Sequence, residues 1–350
     1  MYDNLFGLGS TNDLTKECEE QLTELTSGEI ANLWLSYQYE TLSKCGITYF
    51  LQHVEDLETK DILEQTLAFS NKRIAQMKNI FDEEDYPHPE GFTDSDVNLH
   101  APRLFSDVLY LEYCLQTFKM ELMVYNLAFF EAVKPKIQKF FQEVLTDSQN
   151  MEIKAKELSK EKGLYQRAPQ IPKQKQVEYV EKDRFLAGWF GEKRPLLGIE
   201  IAQLVFHAKR NALGQAVITG FSQVAKSKEV RRFFERGREI AGKQFDVFSS
   251  ILSDEYLPNA ASLMTSEVTD STEAPFSDKL MLTFITVLIA AGMSGYGSAM
   301  SQSARRDLGV LYSRLIAEIA GYSDDGAEIL IKHGWMEQPP MAANRKNLAK

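Results

Sequence analysis

Apolar residues recur at helical spacing along most of the chain. Near its start Ile30, Leu33, Trp34, Tyr37 and Thr41 follow one another every three or four positions, which predicts an amphipathic helix rather than a strand. Thr26 with Glu29 three residues on forms the pattern of a capping box, so this helix is expected to open there and run to about His53. A second run extends from about Glu58 to Phe81. Next comes DEEDYPHPEGFTDSDVNLHAP, rich in proline, glycine and acid and therefore irregular, before a third helix begins near Arg103 and continues to about Val133. Pro135 suits the first turn of a fourth helix, and Gly163 suits the residue that closes it.

The pattern then repeats. A shift of 171 residues superposes Leu25 on Leu196 and Glu29-Ile30-Ala31 on Glu200-Ile201-Ala202, and it carries Phe105-Ser106-Asp107 onto Phe276-Ser277-Asp278. Pro87, Val97, Tyr125, Glu157 and Gly163 likewise meet Pro258, Val268, Tyr296, Glu328 and Gly334. A constant offset over some 140 residues marks an internal duplication. The expected boundaries are a first bundle over 24–165, a linker over 166–194 and a second bundle over 195–340. Helices of about 25 residues, roughly 37 Å long, pack naturally as four-helix bundles. Short connections within each helical pair and one long connection between pairs give the ferritin-like pattern, so the expected fold is all-α, with two tandem ferritin-like four-helix bundles related by duplication.

The segment KLMLTFITVLIAAGMSGYGSAMSQSARR holds 25 residues without formal charge between Lys279 and Arg305, long enough to cross a bilayer. Its twin 171 residues upstream carries Glu112, Lys119, Glu121 and Glu131, so the duplication argues for a buried bundle helix and no membrane span. Ala291, Gly295, Ala299 and Ser303 form a smooth ridge that either packs inside the bundle or is covered by the other copy or by a second subunit, and the partners expected for the chain are a homo-oligomer or another protein.

Net charge is −11, unevenly distributed: 14 basic and 24 acidic residues from 24 to 163, against 14 and 16 from 195 to 334. An acidic chain lacks the basic face that a phosphate backbone needs, so no nucleic acid is expected as a partner. The basic stretch KSKEVRRFFERGR is expected to be a solvated helix face with Glu/Arg pairs along the helix. Cys18, Cys45 and Cys114 form no metal or disulfide pattern and suit reduced cytosol. The N-terminal MYDNLFGLGS lacks the features of a secretory signal.

The bundle pattern raises the question of a di-iron centre, which needs Glu-x-x-His on two helices. None occurs: the residues three before His53, His88, His100, His207 and His333 are Phe50, Asp85, Val97, Leu204 and Leu330. Asp85 and His88 lie in a proline-bounded loop. An irregular site around His207 with Glu235 or Glu239 is conceivable on spacing, although the twin of His207 is Ser36 and a core histidine is the simpler reading. His53 is expected to pair with Glu55 or Asp56. Thr48 with Gln52, and Thr219 with Gln223, share helix faces as candidate buried hydrogen-bonded pairs. Glu29 and Glu200 suit helix starts, and Ser106-Asp107 and Ser277-Asp278 suit caps. No residue is assigned to catalysis, a cofactor or a metal.

The strings FLQHVED, GFTDSDVN, APRLFSD, GFSQVAKS, APFSDKLM and GWMEQPP, in this order, resemble a family of tandem ferritin-like proteins of spore-forming bacilli known as a domain of unknown function. The resemblance spans about Leu25 to Pro340 and implies a cytoplasmic or spore-associated setting. It brings no site residue. The expected function is that of a non-catalytic soluble protein acting through assembly or partner binding, in stress or sporulation physiology. The alternative is a metal-binding ferritin-like oxidoreductase with an irregular ligand set.

Overall fold

The computed structural model describes residues 24–188, 193–258 and 266–348. Eight long helices account for most of them: α1 (Ser27–His53), α2 (Leu57–Glu83), α3 (Asp107–Glu131), α4 (Pro135–Glu161), α5 (Gly198–Val224), α6 (Lys228–Asp254), α7 (Asp278–Gln302) and α8 (Arg306–Lys332). A short α9 (Arg345–Leu348) follows. The first four form one bundle and the next four another, so the all-α duplicated architecture read from the sequence is the one observed.

Helix boundaries follow local chemistry. Thr26 and Glu29 make the reciprocal capping box, Thr26 Oγ1 accepting from the Glu29 amide at 3.2 Å and the Glu29 carboxylate from the Thr26 amide at 2.9 Å. Ser106 and Ser277 cap α3 and α7, and Pro135 stands in the first turn of α4. Gly163 and Gly334 close α4 and α8 with φ of +70° and +66°, each followed by an amide that reaches back five residues, Leu164 to Ser159 and Trp335 to Leu330. α2 and α6 end the same way without glycine: Asp85 and Tyr256, twins under the repeat, take φ of 50° and 57°.

In the first bundle α1 packs on α2 and α3, and α4 on α3 and α2; the second bundle repeats this arrangement. Shared polar residues staple the helix ends. The Asp107 carboxylate accepts from the amides of Glu55 and Asp56, placing the start of α3 beside the start of α2, and Asp278 does the same with Lys226 and Ser227. Glu29 accepts from the amides of Val133 and Lys134, and Glu200 from those of Ala304 and Arg305. The helix-start glutamates therefore bind the opposite connection as well as their own first turn. The first long crossover, from the end of α2 to the start of α3, runs the length of its bundle.

The two crossovers meet each other. Val97 bridges Phe276 and Phe105 bridges Val268, antiparallel. The backbone bonds are reciprocal: Asn98 N to Pro275 O matches Thr269 N to Leu104 O, and Ser277 N to Asp96 O matches Ser106 N to Glu267 O. Each member of a pair maps onto the other under the 171-residue shift. The bundles are thus related by a pseudo-twofold axis, with the same patch used on both sides. Side chains repeat the rule, since Ser106 Oγ donates to Glu267 at 2.6 Å and Ser277 Oγ to Asp96 at 2.7 Å. Tyr113 and its twin Phe284 meet across the axis with ring centroids 5.8 Å apart.

Several sequence expectations are corrected by this packing. Thr48 and Thr219 do not pair with their glutamines; each hydroxyl donates to the carbonyl four residues back, the nearest acceptor on a helix. Gln223 instead reaches the carbonyls of Thr269 and Ser271 in the crossover. His53 does not pair with Glu55 or Asp56 but lies on the Tyr49 ring at 4.7 Å, with a backbone hydrogen bond at Ala101. In the basic stretch, Arg231, Arg232 and Glu235 are exposed, while Glu229 pairs with Lys332 and His333, and Arg236 with Asp325. Those partners lie on α8 and at its C-terminal cap, so these pairs run between helices. Cys45 and Cys114 are buried free thiols, and Cys18 lies outside the described residues.

Among the described residues α7 is the one helix long and apolar enough to cross a membrane. Here it packs against α5 and α8. Its small-residue ridge faces its own bundle: a Cβ on Gly295 would lie 2.9 Å from the His207 ring, and Arg210 donates to the Ala291 carbonyl at 3.3 Å.

Candidate functional site: the two bundle centres

Duplication places equivalent positions at the middle of each bundle, and the two copies fill them with different chemistry. In the first bundle Glu40 of α1, Arg73 of α2, Glu121 of α3 and Ser148 of α4 converge, all buried. Arg73 Nη1 donates to Glu40 Oε1 at 2.8 Å and to Glu121 Oε2 at 3.2 Å, and Nη2 donates to Ser148 Oγ at 3.2 Å. Ser148 Oγ donates to Glu121 Oε2 at 2.5 Å, and the Tyr125 hydroxyl to Glu40 Oε1 at 3.0 Å.

Burial opposes the charge on Arg73, but Glu121 and Glu40 beside it hold the guanidinium above its ordinary range. Burial also raises the Glu121 carboxyl, and Arg73 offsets part of that rise. This polar layer divides the bundle's core. The apolar residues on one side, including Leu33, Met77, Phe81 and Phe141, form a cluster separate from those on the other. The second cluster continues through the crossover aromatics into the second bundle without a break.

The residues do not suit a carboxylate-bridged metal centre. A di-metal site needs several free carboxylate oxygens and imidazoles facing one cavity. Here a guanidinium stands between the two central carboxylates, bonding one oxygen of each, Glu40 Oε1 and Glu121 Oε2. No group of three or more His, Cys, Asp or Glu with metal-binding geometry occurs among the described residues.

The second bundle replaces Glu40, Arg73, Glu121 and Ser148 with Asn211, Gln244, Gly292 and Ile319. Gly292 leaves space that the Glu121 side chain fills in the first copy, and the larger Ile319 at the place of Ser148 takes up part of it. A cavity of about 120 Å³ results, lined by apolar residues of α5, α6, α7 and α8 and by Tyr113, Thr117 and Met120 of α3. The Tyr296 hydroxyl donates to Gln244 Oε1 at 2.6 Å and accepts from Asn211 Nδ2 at 2.8 Å, and Gln244 Nε2 reaches Glu318 at 3.1 Å. These polar groups are therefore satisfied.

His207 and Arg210 also line this cavity. His207 is 1% exposed and stands among the rings of Phe206, Phe248, Tyr296 and Tyr312, at centroid distances of 4.7 to 5.9 Å. Its Nε2 has no hydrogen-bond partner. Burial, with the Arg210 charge nearby, pulls the imidazole down to about 3. Glu235 and Glu239 are exposed on α6, so the metal set suggested by spacing is not assembled. Sequence reasoning missed the Glu40–Arg73–Glu121 layer because each residue comes from a different helix. The available signal was charge inside an apolar stripe: Glu40 stands between Tyr37 and Thr41, and Glu121 between Phe118 and Tyr125.

Fold and centres together define a tandem pseudo-symmetric helical-bundle protein whose copies have diverged internally. The chain belongs to the family described as "Protein of unknown function (DUF3231)", which it matches twice, over residues 14–177 and 184–348. No curated protein matches it. Among solved structures, a candidate spore coat protein from Bacillus halodurans C-125 is similar at 14% identity and a TM-score of 0.40, covering 43% of this chain and 98% of that one.

Proposed function

We propose that this protein is a non-catalytic, soluble tandem bundle of ferritin-like topology that acts through assembly. The observation that carries the reading is the buried Arg73, which stands between Glu40 and Glu121, bonds one oxygen of each and puts a fixed positive charge where a metal would sit. The second copy lacks both carboxylates, having Asn211 and Gly292 in their places. Redox chemistry at either centre therefore has no ligand set to rest on. Metal analysis of protein purified without chelator, followed by titration with ferrous and manganous ions, is expected to give substoichiometric metal. Stoichiometric iron or manganese would overturn the reading in favour of an oxidoreductase with an irregular site.

The assembly part is supported by α3. Tyr113, Thr117 and Met120 face the second bundle, and the same helix continues with Met123, Val124, Leu127 and Phe130 on its surface, Phe130 being 76% exposed. At the matching positions of α7 stand Ser294, Gly295, Ser298 and Ser301. The stripe extends an interface already used between the copies, so its occupant in this reading is a second copy of the chain. Sedimentation is expected to show self-association that Leu127→Asp with Phe130→Asp abolishes; an identical monomer in both proteins would overturn it. A setting in sporulation or stress physiology, without a membrane span, belongs to the same proposal. Extraction without detergent and a rise in abundance during spore formation are its expected signs.

A further inference from the structure

The second bundle's cavity contains a cation with no carboxylate beside it. Arg210 of α5 is half-buried, rests on the Phe206 ring at 5.7 Å and makes one hydrogen bond, to the Ala291 carbonyl. No ion pair reaches it among the described residues. Beside it on α5 are His207, whose burial keeps it neutral, and Asn211, which with Gln244 and Tyr296 forms a satisfied set. A guanidinium has five donors in a planar fork suited to a carboxylate, so most of its capacity here is unspent. Gln116 and Thr117 of α3 also reach it, and most of the other walls are aliphatic and aromatic, among them Leu288, Ile289, Ile319 and Phe284.

We propose that this cavity binds a short branched monocarboxylate, its carboxylate on the Arg210 fork and its alkyl group against Ile289 and Ile319. Size supports the class. Apolar cavities of about 150 Å³ accept benzene, so the ~120 Å³ here suits a body of about five to seven heavy atoms. A phosphate or sulfate would leave the aliphatic walls unoccupied, and a purely apolar molecule would leave Arg210 as it stands. The first bundle offers no such site, because Arg73 is already neutralised by Glu40 and Glu121.

The test is calorimetric titration of the full chain with sodium 3-methylbutyrate, beside 3-methylbutan-1-ol as an uncharged probe of the same shape. Saturable binding of the acid is expected, with the alcohol weaker by about tenfold or more, and Arg210→Gln weakening the acid by a similar factor while leaving the alcohol unchanged. Gly214→Leu provides the second arm. Gly214 lines the cavity and a Cβ there meets nothing within 4 Å, so the variant keeps its helix and fills the space. It is expected to abolish binding of both probes with an unchanged helical spectrum. No binding of the acid up to about 10 mM overturns the proposal. So does equal affinity for acid and alcohol, or unaltered acid binding in either variant.

Discussion

At the scale of single residues, the twin positions show how a duplicated core diverges. Arg73 and Gln244 occupy one place in two copies, yet the first neutralises two carboxylates and the second continues a neutral chain from Tyr296 to Glu318. His207 is the most exposed of these residues to a change of pH in the thermodynamic sense. Its ordinary value of 6.5 is depressed to about 3 in the folded protein, first by burial and then by Arg210. The unfolded chain therefore takes up a proton that the folded one refuses, so stability is full above about 6.5 and declines as pH falls toward 3. The decline is on the order of 1.4 kcal/mol per pH unit at its steepest. Thermal melts of wild type and His207→Leu between neutral and mildly acid pH are expected to converge as pH falls; parallel curves would refute the assignment.

At the scale of elements, helix length and caps follow from local signals, while contacts between helices decide what each surface position tolerates. Gly237 of α6 and Gly321 of α8 are both helical and equivalent in propensity. A Cβ at Gly237 would overlap the Tyr322 hydroxyl, which donates to the Phe233 carbonyl at 2.9 Å. A Cβ at Gly321 meets nothing within 4 Å. Gly321→Ala is therefore expected to stabilise the protein by about 0.5–1 kcal/mol, and Gly237→Ala to destabilise it by about 1–3 kcal/mol. Denaturant titration of the two variants checks the opposite signs. The ends of α2 and α6 carry a related lesson. Asp85 and Tyr256 hold left-handed backbone without glycine, a turn that no residue preference announces and that the start of the crossover imposes.

At the scale of the whole molecule, the bundles share one apolar core through the crossovers. Phe276 lies 5.1 Å from the Tyr49 ring of the first bundle and 6.2 Å from Phe221 of its own. Both crossovers also depend on each other for backbone partners. The chain is expected to unfold in one cooperative transition, and Phe276→Ala to cost about 3–5 kcal/mol and lower that transition as a whole. Calorimetry showing two well-separated transitions in the wild type would contradict this coupling. The apolar α7 belongs to this scale too, since its ridge is covered by α5 of its own bundle at Gly295 and Ala291.

What the sequence determined by itself was the set of local and repeated features. The spacing of Ile30, Leu33 and Tyr37, the Thr26–Glu29 box, Pro135 and Gly163 depend on neighbours a few residues away, and the duplication is visible wherever 171 residues separate like from like. The absence of Glu-x-x-His was legible for the same reason. Only the tertiary structure decided which charges meet, because Glu40, Arg73 and Glu121 are separated by dozens of residues and come together through helix packing. It also decided that the crossovers pair reciprocally and that a cavity lies beside Gly292, where the first copy has Glu121. Periodicity reports which face of a helix is buried; what that face is buried against depends on three other helices, and no single stretch of chain contains that information.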